Sequence, residues 1–197
     1  MLAFHAIFGA YGFWLPNDPR GSWSQWVGSW ELFRYGPATK VNVRHSLASK
    51  QHDRLQRLEA KKALNHKPIR FTGEQAAAVA QGFSQAMERH RYECYACAIL
   101  PENVHMVLNS DSMSPGQAIG KLKRSAGDML IEKSLHPFAS TVEPGTRPPL
   151  CFARRAWKVY LDTEDDLRRS IAYVIQNPVK DGLPVQAWSF VRAPRIW

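Results

Sequence analysis

Two short stretches of this 197-residue chain combine residue types that can do chemistry. The first is Asn103-Val104-His105-Met106-Val107-Leu108, which follows the turn residues Pro101-Glu102. Side chains alternate along a strand, so Asn103 and His105 share one face while Val104, Met106 and Leu108 share the other. The second is Tyr173-Val174-Ile175-Gln176-Asn177-Pro178. On a helix wheel at ~100° per residue, Tyr173 and Asn177 fall within ~40° of each other, beside the core stripe of Leu167, Ile171, Val174 and Ile175. A lone tyrosine there would read as an aromatic at the rim of the core. An asparagine one turn on, and a polar pair on a strand, add a chemical reading.

A phenol of pKa about 10 is a poor nucleophile at neutral pH. It can attack a phosphodiester when a divalent cation polarises the phosphate. Imidazole nitrogens and amide oxygens are ligands that such a cation accepts. The product would be a covalent phosphotyrosine on one DNA end and a free hydroxyl on the other, with the bond energy conserved for rejoining.

These residues need a scaffold, and the pattern supplies one. Leu2–Trp14 alternates as a strand and ends in the Pro/Gly/Asp loop 15–21. His5 reads as a packed, hydrogen-bonded histidine. Trp23, Trp26 and Trp30, at spacings of three and four, share one side of a short helix, as a cover for the sheet or a platform for stacking bases. The segment from Arg34 to Arg70 is basic, with a solvated helix over Ser49–Asn65 that could also contact phosphates. Thr72 and Gln75 form a capping box for a helix running to about His90, with Ala76, Val79, Ala80, Phe83, Ala86 and Met87 as its buried stripe. Strands follow over Tyr95–Leu100 and Val104–Asn109.

Ser114-Pro115 starts a second helix, Pro115–Ser134, with Ile119, Leu122, Ala126, Met129 and Leu130 inward and Lys121, Lys123 and Arg124 off that face. After a loop over Leu135–Pro149, Cys151–Leu161 reads as a strand. A last helix opens at the acidic run from Asp162 and stops at Asn177-Pro178, because the residue before a proline is pushed out of helical geometry. In the irregular tail, Trp188 and Phe190 are the expected anchors. The order is strand, insertion, helix, strand, strand, helix, strand, helix. It predicts an α+β, ferredoxin-like (RRM-like) sandwich with an antiparallel sheet and helices on one face. One domain is expected over 1–197, with an insertion at 16–70 and a core at 72–191.

Twenty-six Lys and Arg against 17 Asp and Glu give a formal charge of +9, which favours a polyanionic partner, nucleic acid ahead of membrane. No apolar run approaches the ~20 residues of a membrane span. Met1–Trp14 lacks a basic lead and a small-residue cleavage site, so a strand is expected there and not a signal peptide. Three cysteines are too few for a disulfide framework and suggest a reducing cytoplasm. Cys94-x-x-Cys97 lies on a strand, where residues three apart face opposite ways, and no second pair follows.

Leu100-Pro101-Glu102-Asn103-Val104-His105-Met106-Val107-Leu108 resembles the Met/Leu-Pro-x-His-Val-His-Leu strand of the HUH superfamily. Tyr173-Val174-Ile175-Gln176-Asn177-Pro178-Val179-Lys180-Asp181-Gly182-Leu183 resembles the tyrosine helix of the single-tyrosine transposases, and most of all the REP-associated tyrosine transposases of the IS200-like group. The resemblance covers about Thr72 to Val191. It implies Tyr173 as nucleophile, with His105 and Asn177 as ligands of Mg²⁺ or Mn²⁺. Asn103 stands where the family has its first histidine, and an amide oxygen ligates these cations more weakly than imidazole binds a transition metal. The family acts on single-stranded DNA with short hairpins, which implies a bacterial, cytoplasmic, nucleoid-associated enzyme working as a monomer or a homodimer. Charge then nominates Lys121, Lys123, Arg124, Arg154, Arg155 and Lys158 as the phosphate-contacting surface, with the Arg34–Arg70 arm as a second. The alternative is a catalytically impaired or domesticated nucleic-acid-binding protein on the same fold.

Overall fold

The computed structural model describes residues 1–16, 18, 27, 30–36, 53–109 and 113–194. Trp23 and Trp26, Lys40, Arg44 and Lys50 lie outside the described residues. The chain separates into two compact units, one formed by 1–10 with 69–197 and the other by 11–68. Within the second unit, α1 (Trp30–Phe33) is a single turn, and α2 (Arg54–Lys62) is capped by Asp53, whose carboxylate accepts from the Gln56 N–H. Helix α2 is solvated, as its composition predicts: even its apolar residues Leu55 and Leu58 are exposed.

The first unit is built on a four-stranded sheet in the order β2-β3-β1-β4, from β1 (Ala3–Gly9), β2 (Glu93–Ile99), β3 (Asn103–Asn109) and β4 (Trp157–Leu161). Every neighbouring pair is antiparallel. With α3 (Gly73–His90) after β1 and α4 (Pro115–Glu132) after β3, this is the ferredoxin-like order that the pattern predicts. Both helices begin with a complete capping box, Thr72 with Gln75 and Ser114 with Gln117, and Pro115 occupies the first turn of α4.

Phe4, Ala6 and Phe8 of β1, with Val104, Met106 and Leu108 of β3, form the sheet face under α3 and α4, where Phe8 meets Phe83 edge-on at 6.0 Å. The two helices touch closely at Gly82, where an added Cβ would lie 2.6 Å from backbone atoms of Ser125 and Ala126. The opposite sheet face is covered too. There α5 (Glu164–Lys180) packs Leu167 and Val174 onto Ala3, Ala96, Ala98, Val107 and Leu161. The last helix thus adds a third layer beyond the expected pair on one face.

Three local expectations are corrected. First, α5 does not stop at Asn177-Pro178 but continues to Lys180. Pro178 falls in the last turn, where its missing N–H costs one bond, and the carbonyls of Asn177 and Pro178 still accept from the Asp181 N–H. Burial of Asn177 and Pro178 holds the turn in place. Second, Ile175 is not part of the core stripe. It is 50% exposed, because the contact with the sheet is narrow and centred on Leu167 and Val174. Third, Cys94 and Cys97 share a face. A bulge between Cys94 and Ala96 shifts the register, so they pair with Leu108 and Met106, which point the same way. Both remain free thiols, pushed well above the ordinary thiol range by burial.

The tail is more ordered than its composition suggests. The Gln186 side chain donates to the Ile99 carbonyl and accepts from the Ile99 N–H, both at 2.8 Å, and the Arg192 N–H donates to the Cys94 carbonyl. The expected anchors Trp188 and Phe190 stack on each other at 6.4 Å.

The close approach at Gly82 gives a test. Gly82→Ala removes the backbone cost of glycine in a helix, worth about 1 kcal/mol in its favour. It also forces α3 from α4, at about 1–3 kcal/mol or more. Urea denaturation should show a net loss of stability; a stabilised variant would mean that the helices separate freely.

Candidate functional site

The chemistry-bearing residues meet on the α5 side of the sheet. In the antiparallel register Ile7 faces His105 and His5 faces Val107. Odd-numbered residues of both strands therefore point toward α5. His5 and His105 are diagonal neighbours, both buried, with His5 Nε2 3.1 Å from His105 Nδ1. Asn103, at the head of β3, lies opposite Gly9 on the same face.

The helix delivers the phenol. The Tyr173 ring centroid is 5.7 Å from that of His105 and 5.9 Å from that of His5, tilted 59° to each. Unlike the histidines, Tyr173 is 44% exposed. Asn177, one turn on, is buried beside it. The Lys180 ammonium stands 5.1 Å from the centre of the Tyr173 ring, so a cation flanks the phenol. The structure therefore brings together Tyr173, His105, Asn103 and Asn177 on one face of the sheet. His5 is packed and hydrogen-bonded as the sequence led us to expect, but its partner is the site histidine. The signal for it was the parity of β1 against β3, readable only once these strands are known to be neighbours.

Burial governs the electrostatics. It lowers the His5 imidazole to about 4, and burial together with the charge of His5 lowers His105 to about 3. Both rings are therefore neutral at physiological pH, with lone pairs available. Burial raises the Tyr173 hydroxyl, the Asn177 amide beside it opposes that rise, and the Asp181 carboxylate adds to it. Two buried amide atoms have no hydrogen-bond partner among the described residues, Asn103 Oδ1 and Asn177 Nδ2. The Asn177 amide thus influences the phenol without a hydrogen bond of good geometry from its nitrogen. Two neutral imidazoles, an unpartnered amide oxygen and an amide whose two ends can exchange by a flip make a donor set that fits a divalent cation.

The proposed phosphate-contacting residues divide. Lys121 and Arg124 are exposed on α4, and Arg154, Arg155 and Lys158 are exposed on β4 and the segment leading into it. Arg154, Arg155 and Lys158 line an open cleft of about 310 Å³ with Gly116, Ile119 and Gly120. Lys158 pairs with Ala6, so this cleft is on the α4 side of the sheet, opposite the tyrosine. Lys123 lines the same cleft. Its ammonium donates to the carbonyls of Ala153 at 2.7 Å and Arg155 at 3.0 Å and sits 5.1 Å from the centre of the Phe8 ring. It ties the Arg154-Arg155 segment to α4, and burial lowers it to about 8.

No family model matches the chain, and no curated protein matches it. Among solved structures it is similar to a REP-associated tyrosine transposase bound to a REP hairpin, at 16% identity and a TM-score of 0.44, over 61% of this chain. The chain spans 65% of the length of that protein. It is also similar to a candidate transposase from Deinococcus radiodurans, at 10% identity and a TM-score of 0.44, over 93% of this chain and 92% of the other. At these identities the chemistry has to come from the residues themselves.

The buried histidines make stability pH-dependent. Their folded pKa values lie below the ordinary 6.5, so between about pH 3 and 6.5 the unfolded chain binds more protons. Stability is therefore full above pH 6.5 and falls on acidification. Urea unfolding should show a loss on the order of 2 kcal/mol for each histidine between pH 7 and pH 4.5, about 5 kcal/mol for the pair. Replacing His5 and His105 together by Gln should flatten that slope, and an unchanged slope would show that the rings are solvated.

Proposed function

We propose that this chain is a transposase-type enzyme that nicks and rejoins single-stranded, hairpin-bearing DNA, with Tyr173 as its nucleophile. The observation that carries this reading is the half-exposed Tyr173 ring, held 5.7 and 5.9 Å from two neutral imidazoles on the sheet. A merely structural tyrosine at the core rim has no need of a buried histidine pair below it and unpartnered amides beside it.

In the forward step a bond forms between Tyr173 Oη and phosphorus as the bond from phosphorus to the 3′ oxygen breaks. The phenolic proton passes to solvent, which the exposure of Tyr173 allows, and the 3′ oxygen leaves as a hydroxyl after taking a proton. The DNA carries a 5′-phosphotyrosine, and attack by a 3′ hydroxyl reverses the step without an external energy source. His105, with Asn103 and Asn177 as amide donors, would hold a divalent cation, Mg²⁺ or Mn²⁺, which when bound supplies the positive charge that polarises the phosphate. Lys180 adds a cation close to the nucleophile.

The cleft of Arg154, Arg155 and Lys158, with Lys121 and Arg124, would take the backbone of a hairpin stem. A strand that occupies this cleft and reaches Tyr173 has to pass from one face of the sheet to the other. Unpaired DNA bends that sharply with little penalty, whereas a duplex does not. This favours a single-stranded substrate attached to a folded stem. Such an enzyme would act on the nucleoid in a bacterial cytoplasm, as a monomer or as a homodimer that exchanges α5.

The rival is a nucleic-acid-binding protein on the same fold, favoured by the amide at position 103. Incubation with hairpin-bearing single-stranded DNA and Mn²⁺, followed by denaturing electrophoresis, separates the two. Wild type should give a covalent adduct that falls by at least about 10³-fold in Tyr173→Phe, with salt-sensitive binding retained. If neither wild type nor Asn103→His forms an adduct while binding persists, the chain is the binding protein.

A further inference from the structure

We propose that His5, from β1, is a direct ligand of the divalent-cation site and supplies the imidazole that position 103 lacks. This rests on the functional reading above, and it assigns a ligand that lies outside both the strand motif and the tyrosine helix.

The geometry comes first. His5 Nε2 and His105 Nδ1 face each other at 3.1 Å. Two ligand atoms at right angles on a cation, each about 2.1 Å from it, are about 3.0 Å apart. The observed separation is thus the edge of a coordination polyhedron as well as the length of a hydrogen bond. A cation bound to both nitrogens lies off the line between them, so the two rings have to turn about their side-chain bonds to aim their lone pairs at it, while the strands keep their pairing. The proton on whichever facing nitrogen carries it moves to that ring's other nitrogen, His5 Nδ1 or His105 Nε2. The exchange is a change of tautomer with no net proton released.

The surroundings agree. The Tyr173 ring is nearly equidistant from the two histidine rings, so a cation bridging them is placed evenly with respect to that ring. Asn103 Oδ1, buried and without a partner among the described residues, provides a third donor on the same face of the sheet. His5 also sits on a central strand, flanked by β3 and β4, and such a rigid setting suits a ligand. The set becomes two imidazole nitrogens and amide oxygen. It prefers Mn²⁺ or Co²⁺ to Mg²⁺, because imidazole is a softer donor than carboxylate or water.

Mn²⁺ binding by the full chain, measured by calorimetric titration without DNA, tests the assignment. Wild type should bind one Mn²⁺. His5→Ala should weaken it about 10–100-fold, as should His105→Ala, while Tyr173→Phe leaves it unchanged. Asn103→His in the His5→Ala background should restore binding. Pulsed electron paramagnetic resonance on wild-type protein with Mn²⁺ should count two directly bound imidazole nitrogens, which keeps the test valid if His5→Ala does not fold. Wild-type affinity in His5→Ala together with loss in His105→Ala, or a single bound imidazole, overturns the role of His5 and leaves the enzymatic reading standing. Absence of Mn²⁺ binding by wild type overturns this assignment, and absence of the Tyr173-dependent adduct as well overturns both.

Discussion

The antiparallel pairing of β1 with β3 is the constraint from which the site follows. Facing residues in such a pair point to the same side, and here odd-numbered positions face odd-numbered ones, so His5 and His105 emerge together toward α5. The same phase sends Phe4, Ala6, Phe8, Val104, Met106 and Leu108 to the other side, where α3 and α4 seal them. A slip of one residue would put the imidazoles among the phenylalanines and the phenylalanines against α5. The apolar demand of one face therefore fixes the polar chemistry of the other.

That two-sidedness shapes the molecule. A two-layer sandwich would leave the histidine face open to water, and the rings would titrate near their ordinary value. Packing of Leu167 and Val174 makes the sheet the middle of three layers and dries the rings, yet the contact is narrow enough to leave Tyr173 half in solvent. Lys123 shows the same economy on the other side. Its ammonium fastens the segment that carries the exposed Arg154 and Arg155 to α4 through two backbone carbonyls.

Much of this was legible in the residues. Capping boxes at Thr72 and Ser114 are local rules, and local rules located α3 and α4. Strand order followed from element order, because a ferredoxin-like chain has few ways to close. What local rules could not supply was set by partners distant in the chain. His5 and His105 are a hundred residues apart, and nothing near either one announces the other. Simple alternation puts Cys94 and Cys97 on opposite faces, and a bulge is invisible to it. Pro178 reads as a stop by local rules, yet burial of the last turn outweighs its missing donor. Ile175 fitted the helical stripe by periodicity, but the width of the docking surface decided which members of the stripe were covered.

The Gln186 side chain, which gives Ile99 both a donor and an acceptor, imitates one residue of a neighbouring strand at the outer margin of β2. With Arg192 bonded to Cys94 further along, that margin is closed to pairing with another chain. The opposite margin is β4, a five-residue strand carrying Lys158, and short length and lysine are the usual deterrents to sheet extension. The sheet thus has one border occupied by its own tail and one guarded by charge. Copies of the protein crowded together therefore do not extend one another's sheets.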